Sequence, residues 1–228
     1  MPKLEIEKNN LRSGVLKGPV LFFIVCCLLF SAASASAFEA EVRYVIDGDT
    51  FILDNSKRVR IAGIDTPEIG RKGKADQYYA QEAKDLLSKL ILGKRVRIDF
   101  AGKGIDRYKR IVGWVYVDDV FVNKYMISKG AAFFYFHEGN DSGRQKLLLQ
   151  AQRKAYKGKK GFWPVVSKLK KFNMPWVGNK NSRRCFLPGD KYAKKISWRN
   201  RVNFSSLGEA FYDGYSPARH LNLWPLVK

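Results

Sequence analysis

The sequence predicts an α+β fold. Three observations lead there: short apolar strands recur between residues 45 and 117, a run with helical spacing covers 76–92, and two more helical runs cover 122–129 and 142–157. Phe51-Ile52-Leu53 and Val59-Arg60-Ile61 read as two strands, with Asp54-Asn55-Ser56-Lys57 supplying the turn chemistry between them. In 76–92, Ala80, Ala83, Leu86, Leu87, Leu90 and Ile91 recur at helical spacing, and Gly93 is placed to cap the end. Residues 95–100 (RVRIDF) alternate as a strand, and 111–117 (IVGWVYV) form another. The short helix 122–129 ends at Gly130, and 142–157 carries Leu147, Leu148, Leu149 and Ala151 on its apolar side before a basic end at Lys154 to Lys160.

The first hairpin organises the chemistry. Folding it brings the residues before Phe51 beside those after Ile61, so Asp49 and Asp65 arrive at the same end of the sheet. Asp47 and Glu68 flank them, and Pro67 starts a turn that swings Glu68 back toward the other acids. Arg60 alternates with Val59 and Ile61 and points away from the face they bury. Close carboxylates repel unless a cation sits between them, and an oxygen-only set suits calcium or magnesium. An arginine beside such a site suits phosphate, because its planar fork donates two parallel hydrogen bonds. A spare glutamate serves to orient or deprotonate water. Asp-Gly-Asp and Asp-Thr-Pro are also common turn formers, and only their pairing on one hairpin favours a site.

Residues 1–37 have the layout of an export signal: Lys3, Lys8, Arg12 and Lys17, an apolar run from Val20 to Phe30, then Ala35-Ser36-Ala37 as the cleavage site. The alternative is an uncleaved anchor, for which the apolar run is short. Cys26 and Cys27 leave with the signal, so Cys185 alone remains and no internal disulfide forms. One cysteine with His137 and His220 far apart makes thiol or zinc catalysis a poor fit. Those first 37 residues carry four Lys/Arg and two Asp/Glu, so the other 191 keep a net charge of +19. Such a balance favours polyanions, most simply nucleic acid, ahead of anionic membrane surfaces or cell-wall polymers.

After the hairpin, Gly70-Arg-Lys-Gly-Lys74 forms a basic loop beside the site. A second cationic cluster, Asp106-Arg107-Tyr108-Lys109-Arg110, lies between the strands at 95–100 and 111–117. Opposed guanidinium groups stabilise the charge that builds on equatorial oxygens during attack at phosphorus, and Tyr108 offers a stacking face or a phosphate donor.

The motifs IDGDTF, VRIAGIDTPE, QEAKDLL, DRYKR, VNKYMISKGAA and LLLQAQRKAYKGKKGFW, in that order, resemble the thermonuclease (staphylococcal nuclease-like) family across residues 39–176. The resemblance implies a five-stranded OB-fold barrel with three helices and calcium-dependent cleavage of DNA and RNA that leaves a 3′-phosphate. It implies Asp49, Asp65 and the Thr66 carbonyl as calcium ligands, Glu68 as general base or water-orienting group, and Arg60 and Arg110 as phosphate clamps. Tyr108, Lys109 and Tyr135 are the implied substrate contacts, with the tyrosine in the run Phe133 to Phe136 ambiguous by one position. Where the family often has glycine before the second arginine, this chain has Lys109, and a left-handed backbone there would strain it.

Residues 177–228 resemble a small zinc-binding module of the Ada type in GNKNS, KKIS, NRVNF and the GY-P frame. Phe186, Asp190, Ala218 and Leu221 stand where that module has its ligands, so no zinc is expected. Trp198, Phe204, Phe211 and Tyr215 are expected to hold this appendage, which either adds nucleic-acid affinity or covers part of the nuclease surface. The expected organisation is thus a signal at 1–37, a nuclease domain at 38–176 and a metal-free module at 177–228. The expected product is an exported monomeric enzyme, periplasmic or secreted, without stable membrane association once the signal is cut. A noncatalytic OB-fold that binds nucleic acid is the alternative; it would not require the acid–arginine set.

Overall fold

The computed structural model describes residues 37–225. Apart from Ala37, the export signal expected at 1–37 lies outside the described residues. Alternation decides the long strand β1 (Ala37–Asp47): Ala40, Val42, Val45 and Asp47 turn inward. It pairs antiparallel with β2 (Thr50–Leu53), which turns through Asp54 to Lys57 into β3 (Arg58–Ile61). β4 (Ile64–Asp65) follows at once.

The next element is shorter than its spacing predicts. Helix α1 (Ala80–Ile91) starts four residues later than expected, because Tyr79 takes a left-handed backbone (φ 72°). It buries Ala80, Ala83, Leu87 and Ile91, and Gly93 at φ 69° ends it as predicted. β5 (Arg95–Ile105) runs antiparallel to β1, and β6 (Ile111–Val117) returns beside it. β6 then pairs parallel with β3, Arg60 opposite Val112. That pairing closes β1, β2, β3, β5 and β6 into a five-stranded OB-fold barrel.

β7 (Val120–Phe121) leads into α2 (Val122–Ser128), and β8 (Phe133–Phe134) pairs with β4. Asn123 is fully buried and satisfies both ends of its amide: Val115 N donates to its Oδ1 at 2.9 Å and its Nδ2 donates to Ala62 O at 2.7 Å. Helix α3 (Ser142–Lys157) is capped by Asp141 and buries Leu148 and Ala151, whereas Leu147 is exposed, contrary to its expected place on the apolar side. Three consecutive leucines span too wide an arc for all of them to face one core.

Beyond α4 (Trp163–Val166) the chain builds a second core. A four-stranded sheet places β9 (Trp176–Asn179) between β11 (Arg201–Phe204) and β10 (Arg184–Phe186), with β12 (Ser216–Pro217) at the edge. Helix α5 (Lys191–Lys194) and helix α6 (Leu207–Tyr212) complete it. Phe204, Phe211 and Tyr215 are buried as expected, but Trp198 is 79 % exposed and holds nothing together. This core also takes Phe133, Phe162 and Trp163 from the nuclease side, so it straddles the boundary expected at residue 176. Gln152 of α3 stitches the two sides, accepting from Phe134 N and donating to Phe211 O. Among the described residues no helix is long and apolar enough to cross a membrane.

Candidate active site

The turn between β1 and β2 sets the acids. Gly48 packs so closely that a Cβ there would lie 2.8 Å from Ala83 and 3.0 Å from Thr66, and this contact seats the Asp-Gly-Asp turn on the Asp-Thr-Pro turn. Asp49 is buried; its Oδ1 accepts from Thr50 Oγ1 at 2.9 Å, and its Oδ2 accepts from Thr66 N and Oγ1, both at 3.1 Å. The hairpin therefore brings Asp49, Asp65 and Thr66 together as the sequence predicts.

Arg60 lies beneath these acids, and here the expected outward clamp needs correction. It does leave the face of Val59 and Ile61, but it is only 7 % exposed. Its Nη2 donates to Asp65 Oδ1 at 2.6 Å, and its Nη1 sits 2.5 Å from Asp49 Oδ2 at an angle that makes a charge contact, not a hydrogen bond. Burial disfavours the cation, but Asp49 and Asp65 outweigh it and push the guanidinium pKa up, so Arg60 stays charged.

Glu68 opens onto the same cleft, with its backbone N–H fixed by Gln77 Oε1 at 2.9 Å. Desolvation in the cleft, then the charges of Asp49 and Asp65, push its carboxyl up; its exposure to solvent damps the effect. Asp47 is more deeply held. Burial first, then Asp49, raises its carboxyl to about 7.

Arg110 comes from the tight turn after β5. Asp106 accepts from its backbone N at 3.0 Å and from its Nε at 2.8 Å, aiming the guanidinium into the cleft. Burial opposes ionisation of Asp106, but the hydrogen bonds from Arg110 and Tyr108 hold its carboxyl below the usual range. Lys109 has φ 60°, so the turn does take the left-handed backbone at which glycine would be unstrained; Arg110 still reaches the site. Tyr108 is half exposed beside Arg110, and Tyr135 lines the same side of the cleft with the Arg184 guanidinium 3.3 Å from its ring centre.

The residue that sequence reasoning missed is Arg219. It follows β12, and its Nη2 donates to Asp65 Oδ1 at 2.7 Å, on the same oxygen that Arg60 holds. Nothing in an isolated Ala-Arg-His near the chain end distinguishes it from other surface cations, and only the fold brings it 154 positions back to Asp65.

Among the described residues no three His, Cys, Asp or Glu side chains converge as a ready ligand set. The donors fit a hard cation nonetheless. Asp49 and Asp65 both reach one guanidinium, so a single ion could bridge them, and calcium completes its shell with carbonyls and water. Cys185 is buried, which pushes its thiol up and keeps it protonated, and His220 pairs with Asp190 at 2.7 Å.

Comparison with known proteins agrees with this geometry. The family described as "Staphylococcal nuclease homologue" matches residues 58–165. The thermonuclease of Staphylococcus intermedius is 34 % identical over 125 residues, which cover 54 % of this chain and 74 % of that one. An uncharacterized endonuclease of Escherichia coli is 33 % identical over 137 residues, covering 58 % and 79 %. Another from Haemophilus influenzae is 34 % identical over 143 residues, covering 60 % and 74 %. With the closed OB barrel and the acid–arginine cleft, these matches make the chain a member of the staphylococcal nuclease family, a family of nucleases.

Proposed function

We propose that the protein is an exported, calcium-dependent nuclease that hydrolyses DNA and RNA phosphodiesters and leaves 3′-phosphates. The observation that carries this reading is the convergence of Asp49, Arg60, Glu68 and Arg110 on one cleft of about 760 Å³, with Asp65 paired to Arg60 at its edge. A noncatalytic binder would need positive charge and stacking surfaces, but not buried acids beside a raised glutamate.

Calcium, when bound by Asp49, Asp65 and the Thr66 carbonyl, supplies charge neutralisation at the phosphate. The chain's own residues do the rest. Glu68 accepts a proton from water as the water oxygen attacks phosphorus; its raised carboxyl makes it a better base than an ordinary glutamate. The bond to the 5′ oxygen breaks in line, that oxygen takes up a proton from solvent, and phosphate stays on the 3′ side. Arg110 donates to the equatorial oxygens as charge accumulates there, and Arg60, buried beside Asp49 and Asp65 but lining the cleft, adds its positive charge from behind them. Tyr108, Lys109 and Tyr135 contact the flanking nucleotides. The basic loop Arg71 to Lys74 and the net charge of +19 left after residues 1–37 draw the polyanion in.

The test is cleavage of end-labelled single-stranded DNA and RNA by the purified protein, with calcium and with chelator. The reading predicts calcium-dependent cutting and 3′-phosphate ends. Binding without cutting would replace it with the noncatalytic reading.

A further inference from the structure

The cleft has two chambers. One, about 760 Å³, is lined by Asp47, Asp49 and Glu68; the other, about 500 Å³, by Tyr108 and Tyr135. The residues that line both are Arg60, Arg110 and Arg219. A strand passing from the acids to the tyrosines must cross this line of guanidinium groups.

Arg219 is held there by anchors on both sides. Before it, β12 pairs with β10, and Arg184 donates to Ser216 Oγ at 2.8 Å and to Phe136 O at 2.7 Å. After it, Trp224 sits 4.7 Å from Phe162 and 5.9 Å from Phe133, and Pro225 O accepts from Tyr78 N at 2.7 Å. The segment is thus fixed to the nuclease body, while the Arg219 side chain itself remains 52 % exposed. Among the described residues its guanidinium makes one hydrogen bond, to an Asp65 oxygen that Arg60 already satisfies. A fork with most of its donors open, at the junction of two chambers that Arg60 and Arg110 also line, is arranged for phosphate.

We propose that Arg219 is a substrate-binding residue that grips the phosphate at the junction together with Arg110, backed by the buried charge of Arg60, so that the C-terminal segment is a wall of the active site. This rests on the nuclease reading for the identity of the ligand. Were Asp65 to hold a cation, Arg219 would give up its bond to that oxygen and its guanidinium would be free for the phosphate.

The experiment compares Arg219→Gln and Arg219→Lys with the parent in the full chain, on a Glu68→Gln background, by fluorescence anisotropy with a short single-stranded oligonucleotide across salt concentrations. Arg219→Gln is expected to weaken binding about tenfold and to lower the slope of log affinity against log salt by about 0.7, while Arg219→Lys keeps the slope. Thermal unfolding of each variant checks that the fold is retained. In the cutting background, Arg219→Gln is expected to raise KM more than it lowers kcat. Unchanged affinity and slope with an intact fold would overturn the proposal. So would tighter calcium binding by titration calorimetry with oligonucleotide affinity untouched, because Arg219 would then only guard Asp65. If the parent binds but never cuts, yet the slope still falls in Arg219→Gln, the phosphate contact stands and the nuclease reading fails.

Discussion

The two walls of the cleft are built in opposite ways. On one side, Asp49, Arg60 and Asp65 lie within seventeen residues of each other, are buried, and satisfy one another through the barrel's own strands. On the other, Arg110, Tyr135 and Arg219 come from three distant places; Arg110 leans on Asp106 and Arg219 on Asp65 with part of the fork, and both stay partly open to the cleft. The first wall is a charge network that the fold cannot lose without cost. The second is assembled by packing, and its side chains remain free to meet a substrate. Stability therefore concentrates on one side of the site and adaptability on the other.

The largest effect expected from breaking this contrast is at Arg60. Arg60→Ala leaves Asp49 buried without its cation and Asp65 with Arg219 alone, so denaturant unfolding in chelator should show a loss of about 3 kcal/mol. Arg110→Ala, on the adaptable wall, should cost under about 1 kcal/mol in the same assay, since its pair with Asp106 is partly solvated. Equal losses at the two positions would erase the distinction.

Asp47 gives the buried wall a pH signature. Its folded carboxyl titrates at about 7, above its ordinary value of 3.8, so the native state binds the extra proton between those two values. Stability in chelator should then fall as pH rises from about 4 to 7, by roughly 2–4 kcal/mol, and Asp47→Asn should flatten that fall. A profile that rises over the same window would contradict the assignment.

The packed wall is tested at Trp224. Removing a nearly buried indole that meets Phe133 and Phe162 should cost about 3 kcal/mol or less. Oligonucleotide affinity should fall with it, because the segment carrying Arg219 loses its anchor. A small effect of the opposite sign is expected at Lys109, where φ 60° suits glycine: Lys109→Gly should stabilise the protein by about 1 kcal/mol in thermal unfolding, while oligonucleotide affinity falls slightly with the lost cation.

How much of this was legible in the sequence follows the same division. The hairpin, the two long strands after α1 and the helix at 142–157 announce themselves by local spacing, and so do Asp49, Asp65, Glu68 and Arg110. Alternation puts Arg60 on the right face but reports direction and not what covers that direction, and the side chain is buried. Helix α1 lost its first turn to the left-handed Tyr79, whose neighbour Tyr78 is bonded to Pro225 across the whole chain. Trp198 looked like a core aromatic by type, and no local pattern distinguishes it from Phe211. Arg219 and Trp224 belong to long-range packing, which a linear pattern does not encode.

The central claim, that this cleft cuts phosphodiesters with Glu68 as its base, is tested most directly at that residue. Single-turnover cleavage of a labelled oligonucleotide in calcium, parent beside Glu68→Gln, should show a fall of about a thousandfold in rate, with oligonucleotide affinity and unfolding midpoint little changed. Cutting at the parent rate in Glu68→Gln would mean that the base lies elsewhere and that the assigned site is wrong.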